Sequence, residues 1–165
     1  MPKELVTLSS AGIIIYYKNT KQWLRVLVTE HSNAASNYRG ELLGAVLALL
    51  ILWVVTSTMT TPYPRTTLHC DNKGVIRHSS SPLRSLPEKQ QQADLIRLVK
   101  HLASTNTCRA VWEWVEGCAV ESKGWEYCSL PERLNHQADL LAKAALMSGL
   151  EGGLIMEGDF PFEPV

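Results

Sequence analysis

Fourteen consecutive residues, from Leu42 through Val55, carry no charge. A helix that apolar all round must be hidden between other elements or lie in lipid. A bilayer crossing takes about 20 residues, so the run is too short for a span and reads as a central core helix. It begins near Tyr38 and stops before Pro62 and Pro64, because proline removes a helical N–H and clashes with the preceding turn. Such a helix needs a sheet or further helices to cover it. A chain of 165 residues with 45% hydrophobic content can supply that cover within one domain.

The flanking patterns say what the cover is. Residues 11–18 and 22–29 are rich in β-branched and aromatic side chains and are separated by the polar turn Asn19, Thr20, Lys21. An antiparallel hairpin is expected there, with a short strand over residues 3–8 ahead of it. Beyond the central helix, residues 66–70 read as a strand and residues 73–78 as a short helix. After a break at Ser79 to Pro82, residues 88–103 place Ala93, Leu95, Ile96, Leu98, Val99 and Leu102 at helical spacing. Residues 110–115 read as a strand, 118–133 as a long loop, and about 134–148 as the last helix, with Gly149 at its C′ position. The order predicts an α/β fold, a mixed sheet of about five strands flanked by helices. Its domain covers residues 1–149, and the Gly/Pro-rich acidic tail 150–165 is expected to trail along the surface.

Net charge is zero, but the balance runs +2 over residues 1–62, +5 over 63–109 and −7 over 110–165. A basic middle can face phosphate locally, because screening confines such fields to roughly 8–10 Å; ordinary solvated faces would give the same counts. The four cysteines, Cys70, Cys108, Cys118 and Cys128, form no CxxC pair. The spacings of ten and eight among Cys118, Cys128 and His136 match no standard zinc finger. With no secretory n-region and apolar h-region at Met1, reduced thiols in an intracellular setting, cytoplasmic or nuclear, are expected, and no membrane partner.

Three carboxylates stand at element ends: Glu41 at the mouth of the central helix, Asp71 after the strand 66–70, and Asp139 in the last helix. Each alone has an ordinary reading. Glu41 suits a helix start, Asp71 a turn before Asn72 and Gly74, and Asp139 a solvated helical face. Together they fit another chemistry. Hard Mg²⁺ prefers oxygen ligands and keeps several waters, and crowded carboxylates make sense chiefly as a cation cage. Ligands of α/β sheets gather beyond the carboxyl ends of parallel strands, where Asp71 falls.

Order and context add a resemblance. The hairpin, then Tyr38-Arg39-Gly40-Glu41, His69-Cys70-Asp71-Asn72, Trp114-Val115-Glu116-Gly117 and Leu134-Asn135-His136-Gln137-Ala138-Asp139 resemble the ribonuclease H family, especially the domains attached to retroelement reverse transcriptases. The resemblance spans roughly residues 11–146. It implies a five-stranded mixed sheet flanked by helices. It also implies a site of two Mg²⁺ or Mn²⁺ ions held by Glu41, Asp71 and Asp139 as three of four carboxylates. The implied activity is hydrolysis of the RNA strand of an RNA–DNA hybrid by water. An upstream reverse transcriptase domain is the implied partner.

Two departures qualify it. The family's first strand carries an aspartate in a Thr-Asp-Gly-Ser-like motif, whereas here Glu4 is the only acid before residue 30 and Thr7-Leu8-Ser9-Ser10 puts Leu8 at that position. Either the site has lost that ligand, which would impair the two-metal reaction severely, or the first strand lies upstream of Met1 and the chain is a piece of a longer polyprotein. After Gly117 the family commonly has an assisting histidine; here it is Cys118, whose thiol cannot shuttle a proton at neutral pH without a large pKa shift. A catalytically decayed descendant that binds nucleic acid or serves as a structural module is the alternative. For substrate contacts, Arg39, Asn72, Lys73, Arg77, Arg84 and Asn135 are the candidates for phosphate and 2′-hydroxyl groups. Trp112, Trp114 and Trp125 are candidates for stacking on bases, although alternating tryptophans on a strand are more often core packing.

Overall fold

The computed structural model describes residues 8–18, 21–58, 65–81, 86–87, 89–105, 110–148 and 152–158. Strand β1 (Leu8–Tyr17) and strand β2 (Gln22–His31) form the expected antiparallel hairpin, with Leu8 opposite His31 and Tyr17 opposite Gln22. Helix α1 (Asn37–Thr58) follows, then β3 (Thr66–Cys70), α2 (Lys73–Ser80), α3 (Ala93–Thr105) and β4 (Ala110–Trp114). Helix α4 (Ala119–Lys123) and a single 3₁₀ turn (Trp125–Tyr127) lead into α5 (Leu130–Met147), and β5 (Gly153–Gly158) ends the described chain. The protein is therefore a mixed α/β fold with five helices, three antiparallel strands and one parallel pair among the described residues.

Two features of the sheet differ from expectation. The strands divide into a three-stranded piece, ordered β1-β2-β5, and a separate parallel pair, β3-β4. Helix α5 packs mainly on β1, less on β2, and touches β3, so it reaches both pieces. Among the described residues β1 pairs only with β2 and β3 only with β4, which leaves the layer open between them. The second difference is the tail. Residues 153–158 lie exposed at the surface but as an ordered strand, paired antiparallel with β2, Val26 opposite Met156 and Val28 opposite Leu154. Leu154, Ile155 and Met156 are an apolar β-prone triplet, and β2 offers a free edge whose N–H and C=O groups need partners.

The apolar run does what its composition requires. Leu42, Ala45, Val46 and Leu49 of α1 are buried with Val75, Leu95, Ile96 and Val99 of α2 and α3, and Leu68 and Trp112 pack against them. Helix α1 extends to Thr58, 22 residues, and among the described helices it alone is long and apolar enough to cross a membrane. Its first half is enclosed in this core.

Three boundaries moved for local reasons. Helix α3 starts at Ala93 because Gln92 takes a left-handed φ of 58°, which interrupts the pattern that runs from residue 88. The expected long loop 118–133 contains α4 and the 3₁₀ turn, and α5 begins four residues earlier than expected. There Ser129 and Glu132 form a reciprocal capping box with Pro131 in the first turn, a Ser-x-x-Glu signature present in the sequence. The strand expected over residues 3–8 falls, apart from Leu8, outside the described residues, as do Arg84, Cys108 and Gly149.

Candidate functional site

The N-terminal end of α1, the end of β3 and the middle of α5 meet, and each brings one acid. Strand β1 lies between the two helices: its buried Ala11 faces Gly44 of α1, and Gly12 faces α5. On the α5 side Ser10 Oγ donates to the carbonyl of Ala142 at 2.9 Å. Gly12 lies so close to the carbonyl of Ala138 that any side chain there would collide with it. Leu8, two residues before Ser10, shares that strand face by alternation. It opens β1 half-buried and supplies no ligand atom.

Asp71 follows the last residue of β3 and is held from several directions. The Trp114 indole Nε1–H donates to its backbone carbonyl at 3.0 Å, and Asn135 Nδ2 reaches its carboxylate at 3.4 Å. Gly117 passes so near that a Cβ there would stand 2.9 Å from Asp71 Oδ2, so glycine is what lets the loop close over the carboxylate.

Glu41 is the anomaly. One of its oxygens, Oε2, is buried without a hydrogen-bond partner. Burial pushes its carboxyl above the ordinary range, the charge of Asp71 adds to this, a hydrogen bond from Asn72 opposes it, and Asp139 adds a smaller push. Asp139 is raised as well, by burial and then by Asp71, against the pull of Lys143 and His136. The Cys70 thiol beside them is pushed up to about 12, mainly by burial, so it stays protonated. Glu41 and Asp139 thus gain proton affinity from burial and from the charges around them in a partly dry pocket. That state is costly without a cation or a proton.

The donor chemistry fits a hard divalent cation in type: carboxylate oxygens, one of them orphaned, with an amide from Asn135 and another from Asn72 alongside. The geometry is looser. Among the described residues no three His, Cys, Asp or Glu side chains gather tightly enough to enclose one ion. The acids act on one another through charge without closing on a single point.

The substrate-contact candidates fall in different places. All five N–H donors of Arg39 are engaged inside the protein: Nε and Nη2 on Glu30 at 2.8 and 2.7 Å, Nη1 on Gln92 at 2.7 Å, and both Nη atoms on Asp94 at 3.2 and 2.9 Å. Its side chain is 7% exposed, which leaves no donor for a phosphate. Asn72 caps α2, its Oδ1 accepting from the N–H groups of Gly74 and Val75. Lys73 and Arg77 are exposed on α2, and Lys73 lies 4.7 Å above the Trp114 ring. Cys118 is exposed, in a left-handed conformation with φ 56°, and precedes α4 without capping it.

The tryptophans divide. Trp112 packs on the core as expected, but Trp114 is 50% exposed at the open end of β4. Trp125 is 42% exposed in the 3₁₀ turn, with the Arg133 guanidinium 5.4 Å from its ring centre. Alternation along β4 could not separate Trp112 from Trp114, because the strand ends where the second one falls. Nor does the sequence pattern reveal the ion-pair group of Lys123 with Glu116 at 2.9 Å and Glu132 at 2.5 Å, which ties α4 to α5. No protein-family model matches the chain, and no curated protein matches it.

Proposed function

We propose that this chain is a ribonuclease H-type domain whose Glu41, Asp71 and Asp139 face bound Mg²⁺ or Mn²⁺ in hydrolysing the RNA strand of an RNA–DNA hybrid. The observation that carries the reading is the orphaned, buried oxygen of Glu41, set among charges of its own sign at the junction of three elements. A structural carboxylate would have a cationic partner there, as Glu30 and Asp94 have in Arg39. Bound divalent ions supply charge neutralisation for the acids and a water of lowered pKa. Glu41 and Asp71 would hold them, Asp139 would contribute from α5, and Asn135 and Asn72 orient the carboxylates.

The set is one carboxylate short of the family's four, and among the described residues β1 and β3 are not paired with each other, so a strand between them is where this reading would look for it. The partner on this reading is a reverse transcriptase domain. A second reading has its own observation. Cys118 occupies the place of the assisting histidine, which favours a descendant that has kept the fold and nucleic-acid binding while losing turnover.

One experiment separates them. The folded chain is incubated with an end-labelled RNA–DNA hybrid in Mg²⁺, in Mn²⁺ and in EDTA. The nuclease reading expects metal-dependent cuts in the RNA strand. Loss of an outer-shell partner costs about 10–100-fold, so loss of a direct ligand through Asp71→Asn should reduce cleavage by about 100-fold or more. Binding of the hybrid with no cleavage in either metal establishes the decayed descendant instead.

A further inference from the structure

Beside Asp71 the surface carries a feature that the carboxylates do not explain. Trp114 is half exposed, its indole N–H is pinned to the Asp71 carbonyl at 3.0 Å, and the Lys73 ammonium lies 4.7 Å over its ring. An isolated exposed tryptophan is unremarkable; one fixed by its polar edge to the backbone of a candidate catalytic residue is held in a set orientation. We propose that Trp114 and Lys73 form a stacking ledge for an unpaired base of a nucleic-acid strand, with the adjacent phosphate taken by Lys73. The ledge rests on the nuclease reading for its place in a reaction, but its binding chemistry stands on these two residues.

Three properties favour it. The first is what the ring offers. Bases stack on aromatic faces whatever their sequence, for about 5–150-fold in affinity per base. An exposed cation–π contact is worth only about 2–5-fold. A base therefore displaces the Lys73 ammonium from the ring, and the freed cation is left close to the phosphate of that nucleotide. The second is charge. Lys73 and Arg77 are both exposed on α2, four residues apart. The third is access. Bases inside a continuous helix are stacked on one another and cannot reach a side-chain ring, whereas an overhang, a gap or a single strand presents a free face. The ledge thus selects nucleic acid with an unpaired base next to the paired region, not uninterrupted hybrid. Tyr127, 79% exposed in the 3₁₀ turn, is the internal control.

The test is equilibrium binding in EDTA, so that no cleavage is needed. The probes are a blunt RNA–DNA hybrid of about one helical turn and the same hybrid with a short RNA overhang, followed by anisotropy and by quenching of tryptophan emission. The expected result is about tenfold tighter binding of the overhang probe by the parent chain. Trp114→Leu should abolish that preference, Trp114→Phe should retain most of it, and Lys73→Gln should weaken binding and flatten its salt dependence. Tyr127→Leu should leave both affinities unchanged. Thermal unfolding of each variant checks that the fold is intact. Equal affinity for the two probes, or loss in Trp114→Phe as deep as in Trp114→Leu, overturns the ledge while leaving the nuclease reading untouched. Ledge-dependent binding without metal-dependent cleavage does the reverse. A parent chain that binds neither probe overturns the ledge, and the cleavage assay in Mg²⁺ and Mn²⁺ then decides the nuclease reading.

Discussion

Two residues apart near the start of α1, Arg39 and Glu41 head ionic groups of opposite design. Arg39 is the hub of a closed knot: every donor has an acceptor, and Glu30 of β2 and Asp94 of α3 are drawn onto one helix. The paired charges hold the Asp94 carboxyl below its usual range and raise Arg39 further. Glu41 heads an open group of like charges in which burial and neighbours push carboxyls upward and one oxygen has no partner. The contrast teaches what each does for stability. A buried charge that is fully bonded stabilises an arrangement; one left unsatisfied beside its own kind costs stability until a proton or a cation joins it.

The contrast breaks most forcefully at Arg39. Arg39→Leu leaves Glu30 and Asp94 without their cation; both keep contact with water, so the cost falls below that of a fully buried pair, to about 2 kcal/mol. At about 2–4 °C per kcal/mol for a chain of this size, the thermal midpoint should fall by roughly 4–8 °C. A change under about 1 °C in calorimetry would mean that the knot is ornamental.

Next in size is the response to metal. At a Mg²⁺ concentration about tenfold above its dissociation constant, binding to the folded state alone adds about 1.4 kcal/mol. The melting temperature of the parent should rise by a few degrees between EDTA and millimolar Mg²⁺, and that of Asp71→Asn should not. An equal rise in both would place the ion elsewhere.

The dependence on pH should have opposite signs in the two groups. Glu41 and Asp139 bind protons more tightly when folded. Their contribution is favourable below the ordinary carboxyl values of 4.5 and 3.8 and is lost as pH rises through the raised folded values. Asp94 is lowered in the fold, so its contribution is present above 3.8 and lost as pH falls through the folded value. Urea denaturation from about pH 7 to about pH 4 should show a Glu41→Gln/Asp139→Asn variant gaining over the parent at the upper end. That gain should vanish at the lower end; a constant difference would show that the acids do not repel one another.

The smallest effect should come from Asp94→Asn. Asp94 is 62% exposed, so its bond to Arg39 is largely screened, and the loss should stay at about 0.5–1 kcal/mol. A loss as large as that of Arg39→Leu would shift the weight of the knot from Glu30 to α3.

Much of this architecture can be read directly from residue patterns. The charge-free run had to be central, and the β-branched stretches either side of Lys21 had to pair, because each pattern has few ways to bury itself. Asp71 at a strand end and Glu41 at a helix mouth were legible for the same reason. That β1 and β3 do not pair among the described residues was not, since pairing depends on which strands are present together, and no period in one strand reports its neighbour. Nor was the fate of Arg39, which sits beside the Glu41 that marks the site yet is turned to the opposite purpose. Its partners Glu30, Gln92 and Asp94 are far apart in the chain and meet only in the fold. The β5 strand was hidden by the glycines around it, which mark a loop as readily as a strand's ends.

The contact at Gly12 sets a dimension of the site from a distance. Strand β1 can lie against α5 at Ala138 only because residue 12 has a hydrogen where others have a carbon. Asp139 is the next residue along, so the separation between that carboxylate and the pair on α1 and β3 is fixed by the thickness of a bare backbone. A methyl group at position 12 would act as a shim beneath α5. It would move one acid away from the other two without altering any residue that touches a ligand.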